Sequence, residues 1–149
     1  MDLHDELVSL VTALDTAGVD YALIGGMAVA VWGAPRFTQD IDLLVRREDL
    51  DRAKSAARQC GFALESFPMD FTDGTELHRV SKMQADQHLM VDLMLVSPQL
   101  QAAWDSRRRI PFDGGKLSVI SRDSLIAMKV AAGRQQDLMD VEKLRDLDR

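Results

Sequence analysis

Hydrophobic positions in the first part of the chain predict a helix, a short strand and a second helix. Between positions 3 and 14 the leucines and valines recur every three or four residues, the period of one face of an amphipathic helix, and Gly18 is expected to end it. Residues 21–24 form an apolar run that leads directly into Gly25-Gly26, and residues 27–32 have helical composition. The pattern therefore predicts helix, strand, glycine turn and helix.

The middle of the chain has the short apolar runs and turn residues that are typical of a sheet. Asp73-Gly74 is a turn signal of the kind found in β-hairpins. A surface helix over residues 48–60, rich in charges and alanines, is expected to interrupt the strands. The predicted strands cover residues 41–45, 62–67, 76–82 and 88–96.

The last part of the chain is predicted to end in helices. Residues 112–115 indicate a turn, and residues 116–120 indicate an edge strand. Residues 121–124 offer helix-starting side chains, and two apolar stripes separated near Gly133 predict two helices. Because helices and strands alternate without a linker or repeat, the pattern favours an α/β or α+β fold, a mixed β-sheet with helices packed on it.

Length and composition support one compact domain. A chain of 149 residues with 46% hydrophobic residues has the size of a single domain and can bury an ordinary core. We expect one domain over residues 1–149, with its core at about 20–96 and a C-terminal helical part at about 121–147. No apolar run is long enough for a membrane span, and the acidic N-terminus is unlike a signal peptide, so a cytoplasmic, non-membrane protein is expected.

Charge and cysteine content narrow the function classes. Cys60 is the only cysteine, so neither an internal disulfide nor a cysteine zinc cluster can form. The net charge is −6, which disfavours a broad grip on DNA or RNA phosphates. A small anionic substrate would need a local basic patch or a metal ion to offset this charge.

Asp40-Ile-Asp42 is the central chemical feature of the sequence. Side chains two residues apart on a strand share a face and lie roughly 6–7 Å apart, so these two carboxylates point the same way. They repel each other and lose hydration on burial, so a neighbouring positive charge is required, and a divalent metal ion would supply it.

A third carboxylate, Asp92, is the lone charge in the apolar strand segment 89–95. An unpaired carboxylate there would cost several kcal/mol. If its strand lies beside that of Asp40 and Asp42, three carboxylates converge. Such a set suits Mg²⁺, with Mn²⁺ as an alternative, because Mg²⁺ binds through a few carboxylates together with substrate phosphates. The chemistry indicated is phosphoryl or nucleotidyl transfer.

The glycine pair Gly25-Gly26 lies between a predicted strand and the start of a helix. Without side chains, its backbone N–H groups could approach a phosphate, with the helix N-terminus behind them. A simple tight turn explains the pair equally well when it is taken in isolation.

Together these motifs resemble the DNA polymerase beta nucleotidyltransferase superfamily. A hydrophobic strand is followed by Gly25-Gly26, thirteen intervening residues, Asp40-Ile-Asp42 and a later strand carboxylate, Asp92. The segments 36–42 and 125–140 are more specifically similar to the small nucleotidyltransferases of abortive-infection and toxin–antitoxin systems. The resemblance covers about residues 21–144, most of the chain.

The resemblance implies a nucleotidyltransferase fold and a role for each motif. The glycine turn, here Gly25-Gly26, contacts the triphosphate in that superfamily. Two strand carboxylates, here Asp40 and Asp42, bind metal, and the third, here Asp92, binds metal or activates the acceptor hydroxyl. Many members have Gly-Ser where this chain has Gly25-Gly26, so one hydroxyl contact to phosphate is absent here.

Four further side chains are candidates for nucleotide binding, namely Arg36, Thr38, Lys129 and Arg134. Arg36 could neutralise phosphate or the carboxylates, or it could be a surface arginine beside Pro35. Thr38 shares the face of Asp40 if the strand begins that early. Lys129 falls on the apolar face of a helix, where an ammonium needs an anion. That anion could be a phosphate or a structural partner, Asp137 or Asp140, and Arg134 has the same two options.

Two hypotheses follow for the whole chain. The first is a Mg²⁺-dependent nucleotidyltransferase that moves a nucleoside monophosphate from an NTP to an acceptor hydroxyl on a tRNA, a protein or a small molecule. The resemblance adds a place in a toxin–antitoxin or phage-defence system, with a cognate toxin or antitoxin protein as partner. The second is a catalytically silent binding or regulatory module of the same fold. The basic cluster 107–109 indicates a solvated turn or a docking point for the acceptor.

Overall fold

The computed structural model describes residues 2–34 and 38–147. Asp2 caps the first helix, since its side chain accepts hydrogen bonds from the backbone N–H groups of His4 and Asp5. The predicted leucine and valine stripe of that helix is buried from Leu7 to Leu14. Two 3₁₀ turns, Arg47–Asp49 and Pro98–Leu100, each lead into a helix. The helices are α1 Leu3–Thr16, α2 Gly25–Val31, α3 Leu50–Gln59, α4 Gln101–Asp105, α5 Arg122–Ala132 and α6 Gln135–Asp146.

Eight strands within the described residues form one mixed sheet. Their order is β3-β5-β6-β2-β1-β8-β7, and β4 pairs with β5. The pairs β2–β6 and β1–β8 are parallel, and the other pairs are antiparallel. The predicted α+β class, a mixed sheet with helices packed on it, is confirmed. The strands are β1 Ala22–Ile24, β2 Asp40–Val45, β3 Leu64–Glu65, β4 Met69–Asp70, β5 Glu76–Gln84, β6 Gln87–Leu95, β7 Arg108–Phe112 and β8 Gly115–Val119.

Two sequence-based details of the sheet are wrong. The segment 116–120 is not an edge strand, because β8 lies between β1 and β7. The predicted strand over 62–67 is reduced to the two residues of β3, with Phe67 93% exposed. The Asp73-Gly74 hairpin turn is confirmed, since it joins the antiparallel strands β4 and β5, and a second, longer hairpin of β5 and β6 turns at Ala85 and Asp86.

The centre of the sheet is the most deeply buried part of the protein. Aliphatic residues of β1, β2 and β6 form much of the core, and α1, α2, α3 and α5 contribute further buried side chains to it. Such a core holds its strands in fixed register, since a shift by one residue would turn every buried side chain to the opposite face. Among residues 2–34 and 38–147, every helix is too short or too polar to cross a bilayer.

Candidate active site

A row of directly opposed residues crosses the sheet at one end of β1. Ile24 of β1 pairs with Asp42 of β2, Asp42 pairs with Asp92 of β6, and Asp92 pairs with Arg79 of β5. Opposed residues on neighbouring strands share a face of the sheet, and Asp40, two residues before Asp42, lies on that face too. The two strands that carry the aspartates, β2 and β6, are neighbours in the sheet. This is the condition on which the predicted convergence of the three carboxylates depended.

The carboxylates of this row have an excess of negative charge. Burial, together with repulsion from Asp92 and Asp40, raises the pKa of Asp42 to about 7. Burial and repulsion from Asp92 also raise the pKa of Asp40, and its buried Oδ1 has no hydrogen-bond partner. Both shifts indicate carboxylates that are short of counter-charge, which is the environment that a divalent cation would complete.

Asp92 has a different partner from the one expected. The Nε of Arg79 donates to its Oδ1 at 2.7 Å, and the Nη2 of Arg79 donates to its Oδ2 at 3.0 Å. This fork neutralises a carboxylate that is only 6% exposed. Sequence reasoning missed Arg79, because its pairing with Asp92 depends on the register set by the turn at Ala85 and Asp86, which carries no typical hairpin-turn residues.

The fit of the site to a metal ion is therefore uneven. No group of three acidic, histidine or cysteine side chains in the described part of the chain is arranged to hold a metal ion. Asp40, with its unpartnered buried oxygen, and Asp42, with its raised pKa, suit a cation. Each oxygen of Asp92 already accepts a hydrogen bond from Arg79. The role of the three aspartates as metal ligands stays a prediction.

Gly25 is required by its close approach to Asp42. Its φ is 72°, a conformation that side chains disfavour, and a Cβ there would overlap Oδ2 of Asp42. The packing of the turn against the Asp42 carboxylate therefore explains why the first residue of the pair is a glycine. Gly26 is buried in the first turn of α2, and contact of the pair with phosphate stays a prediction.

Gly25→Ala is expected to destabilise the protein by about 2–4 kcal/mol, because about 1–2 kcal/mol for the left-handed conformation adds to the overlap with Asp42. Gly114→Ala is a matched control, since Gly114 has a φ of 80° and a Cβ added there would meet nothing within 4 Å. Urea unfolding of both variants measures the difference. Equal losses of stability would show that the approach to Asp42 carries no cost.

The carboxylate row lies in a cleft of about 880 Å³. Gly25, Gly26 and the aspartates line it together with apolar residues that include Met69, Phe71 and Met94. Thr38 lies just before β2, with its hydroxyl 3.5 Å from the backbone N and O of Asp40, and it also lines the cleft. Arg36 lies outside the described residues.

Lys129 and Arg134 line the same cleft and both pair with carboxylates of α6. The Nζ of Lys129 is 3.2 Å from Oδ1 of Asp137 and 2.9 Å from Oδ2 of Asp140. The Nε of Arg134 donates to Oδ2 of Asp137 at 2.7 Å. Burial acts to raise the pKa of Asp137, but hydrogen bonds from Arg134 and Lys129 lower it below its usual value. Of the two readings of Lys129, the structure contains the structural pair, and a phosphate contact stays a prediction.

The basic cluster 107–109 leads into β7 and is not a turn, although Arg108 and Arg109 are exposed to solvent as predicted. Arg107 lies over the ring of Trp104 at 4.0 Å, Arg108 begins β7, and Arg109 pairs with Asp15 at 3.3 Å. None of the three lines the cleft that holds the carboxylates. A docking role for this cluster stays a prediction.

A mixed sheet that brings carboxylates of two parallel strands to one cleft, next to a strand–glycine–helix turn, is the architecture of a nucleotidyltransferase. The sequence agrees with this class along nearly its whole length. The chain belongs to the family described as uncharacterised nucleotidyltransferase, whose sequence model matches residues 1–148. No curated protein matches the sequence.

Solved structures of low sequence identity share the fold. The antibiotic-resistance factor ANT(2″)-Ia in solution is 14% identical, with a TM-score of 0.68 over 95% of this chain and 82% of that one. The crystal structure of ANT(2″)-Ia with adenylyl-2″-tobramycin gives 14% identity and a TM-score of 0.64, over 95% and 87% of the two chains. A Thermotoga maritima protein described as a candidate nucleotidyltransferase is 16% identical, with a TM-score of 0.66 over 96% and 91%.

Proposed function

We propose that the protein is a divalent-metal-dependent nucleotidyltransferase that moves a nucleoside monophosphate from an NTP to an acceptor hydroxyl. The hydroxyl oxygen forms a bond to the α-phosphorus, the bond from that phosphorus to the bridging oxygen of the β-phosphate breaks, and pyrophosphate leaves. The hydroxyl proton passes to a carboxylate, for which Asp92 is the candidate. Such a displacement depends mainly on positioning and on stabilisation of phosphate charge.

One observation supports this proposal more than any other. Asp42 and Asp92 are directly opposed on parallel strands, and Asp40 shares their face, so three carboxylates border one cleft. A protein without a cation to bind there would carry the cost of a carboxyl group whose pKa is about 7 and of a buried, unpartnered oxygen. In a metal-binding enzyme the same features are functional.

The chain's own residues have separate proposed roles. Asp40, Asp42 and Asp92 would hold Mg²⁺ or Mn²⁺, which supplies charge stabilisation to the phosphates and alignment of the attacking and leaving oxygens. Gly25 and Gly26 would border the triphosphate with their backbone. Residues that would steady the phosphates from other sides of the cleft are Arg36, Thr38, Lys129 and Arg134.

The acceptor is proposed to be a hydroxyl on a tRNA, a protein or a small molecule. The structure of ANT(2″)-Ia holds an adenylylated small molecule, tobramycin, so the shared fold is compatible with a small acceptor. The resemblance of segments 36–42 and 125–140 supports a place in a toxin–antitoxin or phage-defence system, with a cognate toxin or antitoxin protein as partner and action in the cytoplasm.

Incubation with each α-³²P-labelled NTP, Mg²⁺ and a cell extract tests the donor and the acceptor together. Label is expected to move into one class of molecule, resolved as protein, RNA or small molecule by gel and thin-layer chromatography. In a parallel reaction with γ-³²P-labelled NTP, the label should appear in the released pyrophosphate. Label that reaches no acceptor from any NTP, in extracts of several sources, contradicts the proposed transfer.

A second candidate is a silent binding or regulatory module of the same fold. The fork of Arg79 on Asp92 favours it, because an arginine here takes the place that a metal ion would take. Calorimetry with Mg²⁺ and each NTP separates the two candidates. Metal-dependent nucleotide binding supports the enzyme, and nucleotide binding that ignores the metal supports the module.

A further inference from the structure

Arg79 lies at the β5 end of the carboxylate row, and the sequence analysis did not single it out. Its guanidinium holds both oxygens of Asp92, at 2.7 and 3.0 Å, from the directly opposed position on β5. The side chain of Arg79 is 32% exposed, whereas that of Asp92 is 8% exposed. The buried carboxylate is therefore covered by a partner that still reaches solvent and lines the cleft.

The charge of Arg79 acts on all three aspartates. Its own pKa is raised by the hydrogen bonds to Asp92 and, beyond those, by the charges of Asp92, Asp40 and Asp42. In return, Arg79 acts against the raised pKa of Asp40 and that of Asp42. A single cation thus partly neutralises three carboxylates, which is the electrostatic task of a metal ion at this position.

We propose that Arg79 competes with the metal ion for Asp92, so that a divalent cation enters the carboxylate row only when the guanidinium leaves. This inference rests on the proposed metal-dependent function. In the metal-free protein the two hydrogen bonds from Arg79 neutralise the charge of Asp92 and hold it in the carboxylate row. Arg79 is then a residue that sets the metal affinity of the site.

Competition follows from the geometry and charge of the contact. A cation shared by Asp42 and Asp92 must lie between side chains of neighbouring strands, next to the guanidinium that already bonds Asp92. Two positive groups repel strongly in a partly buried site, where screening by water is weak. Both oxygens of Asp92 already accept hydrogen bonds from Arg79. A metal ion that bound beside the guanidinium would therefore meet a carboxylate that is a poorer ligand.

Mn²⁺ binding measured by electron paramagnetic resonance tests the inference. Arg79→Met is expected to bind Mn²⁺ roughly tenfold more tightly than the wild type, and Arg79→Lys, which keeps the charge but lacks the fork, is expected to lie between them. Arg47→Met is the matched control, because it removes an arginine fork from a carboxylate, Glu76, that does not line the cleft. Its Mn²⁺ affinity should equal that of the wild type.

An Arg79→Met variant with unchanged or weaker Mn²⁺ binding overturns the inference, because Arg79 would then support the metal site or be indifferent to it. Absence of Mn²⁺ binding in the wild type and in every variant, both with and without NTP, overturns the metal-dependent function itself. The two failures are therefore distinguishable.

The wild-type protein provides a second test that needs no variant. The Nε–H group of Arg79 donates a hydrogen bond to Asp92, so its proton should give a slowly exchanging NMR signal in the metal-free protein. Addition of Mg²⁺ is expected to shift this signal and speed its exchange with water. A signal that stays unchanged while Mg²⁺ saturates the protein would show that the fork and the metal ion coexist, which contradicts competition.

Discussion

Asp42→Asn is expected to abolish nucleotidyl transfer and, at the same time, to stabilise the metal-free protein at pH 8. Asparagine keeps the shape of the side chain but removes the charge that would bind metal. The loss of transfer should reach at least about a thousandfold, because a metal ion's stabilisation of phosphate charge amounts to several kcal/mol. Turnover of labelled NTP at saturating Mg²⁺ measures it.

The gain in stability follows from the pKa of Asp42, which is about 7 in the folded protein against an ordinary 3.8. A raised pKa means that the folded state binds the proton more tightly, so its stabilising effect is full below pH 4 and is lost as the pH rises through 7. Above that pH the charged carboxylate costs about 2–4 kcal/mol, reduced by the side chain's partial exposure. Asparagine removes this cost.

Urea unfolding in the presence of a chelator, at pH 5 and pH 8, checks the prediction. The wild type should lose stability between the two values, and Asp42→Asn should lose less. Asp51→Asn, an exposed position on α3, is the control and should leave the pH profile unchanged. Retained turnover in Asp42→Asn would contradict the mechanism. A larger loss of stability between pH 5 and pH 8 in this variant than in the wild type would contradict the destabilisation assigned to the charged Asp42 carboxylate.

Lys129→Met is expected to destabilise the protein by about 3–5 kcal/mol, because removal of one partner from a buried ionic cluster leaves charge uncompensated. Lys129 is 7% exposed, and its partners Asp137 and Asp140 are 1% and 0% exposed. Arg134 still donates to Asp137 in the variant, but Asp140 loses the ammonium that lies 2.9 Å from its Oδ2. The docking of α6 on α5 should weaken in consequence.

Chemical denaturation measures the loss, and Lys143→Met on the exposed face of α6 is the control, expected to change stability by less than about 0.5 kcal/mol. A Lys129→Met protein as stable as the wild type, with a raised KM for NTP, would instead assign the ammonium to phosphate. The variant thus decides between the two readings of Lys129 with one pair of measurements.

The sequence alone was sufficient for the longer helices and the central strands and for singling out the carboxylates, but it did not predict β4, α4 or β7. Apolar periodicity located α1, β2, β6, α5 and α6, since an amphipathic or fully buried segment leaves its period in the chain. Asp40, Asp42 and Asp92 were identifiable because a charge inside an apolar strand is conspicuous and costly. Short edge elements were less predictable. β3 has only two residues, and its flanking Phe67 is exposed, so composition misrepresents its length.

Contacts between distant segments were decided by the tertiary structure. Arg79 and Asp92 are 13 residues apart and meet only because the hairpin register opposes them. Gly25 must be a glycine because the turn presses on Asp42 of the neighbouring strand, and Lys129 found its anions on α6. Residue type and local spacing show which carboxylates need a counter-charge. Strand register and helix packing determine which cation supplies it, because that choice depends on distances of a few ångströms between segments that the sequence leaves separate.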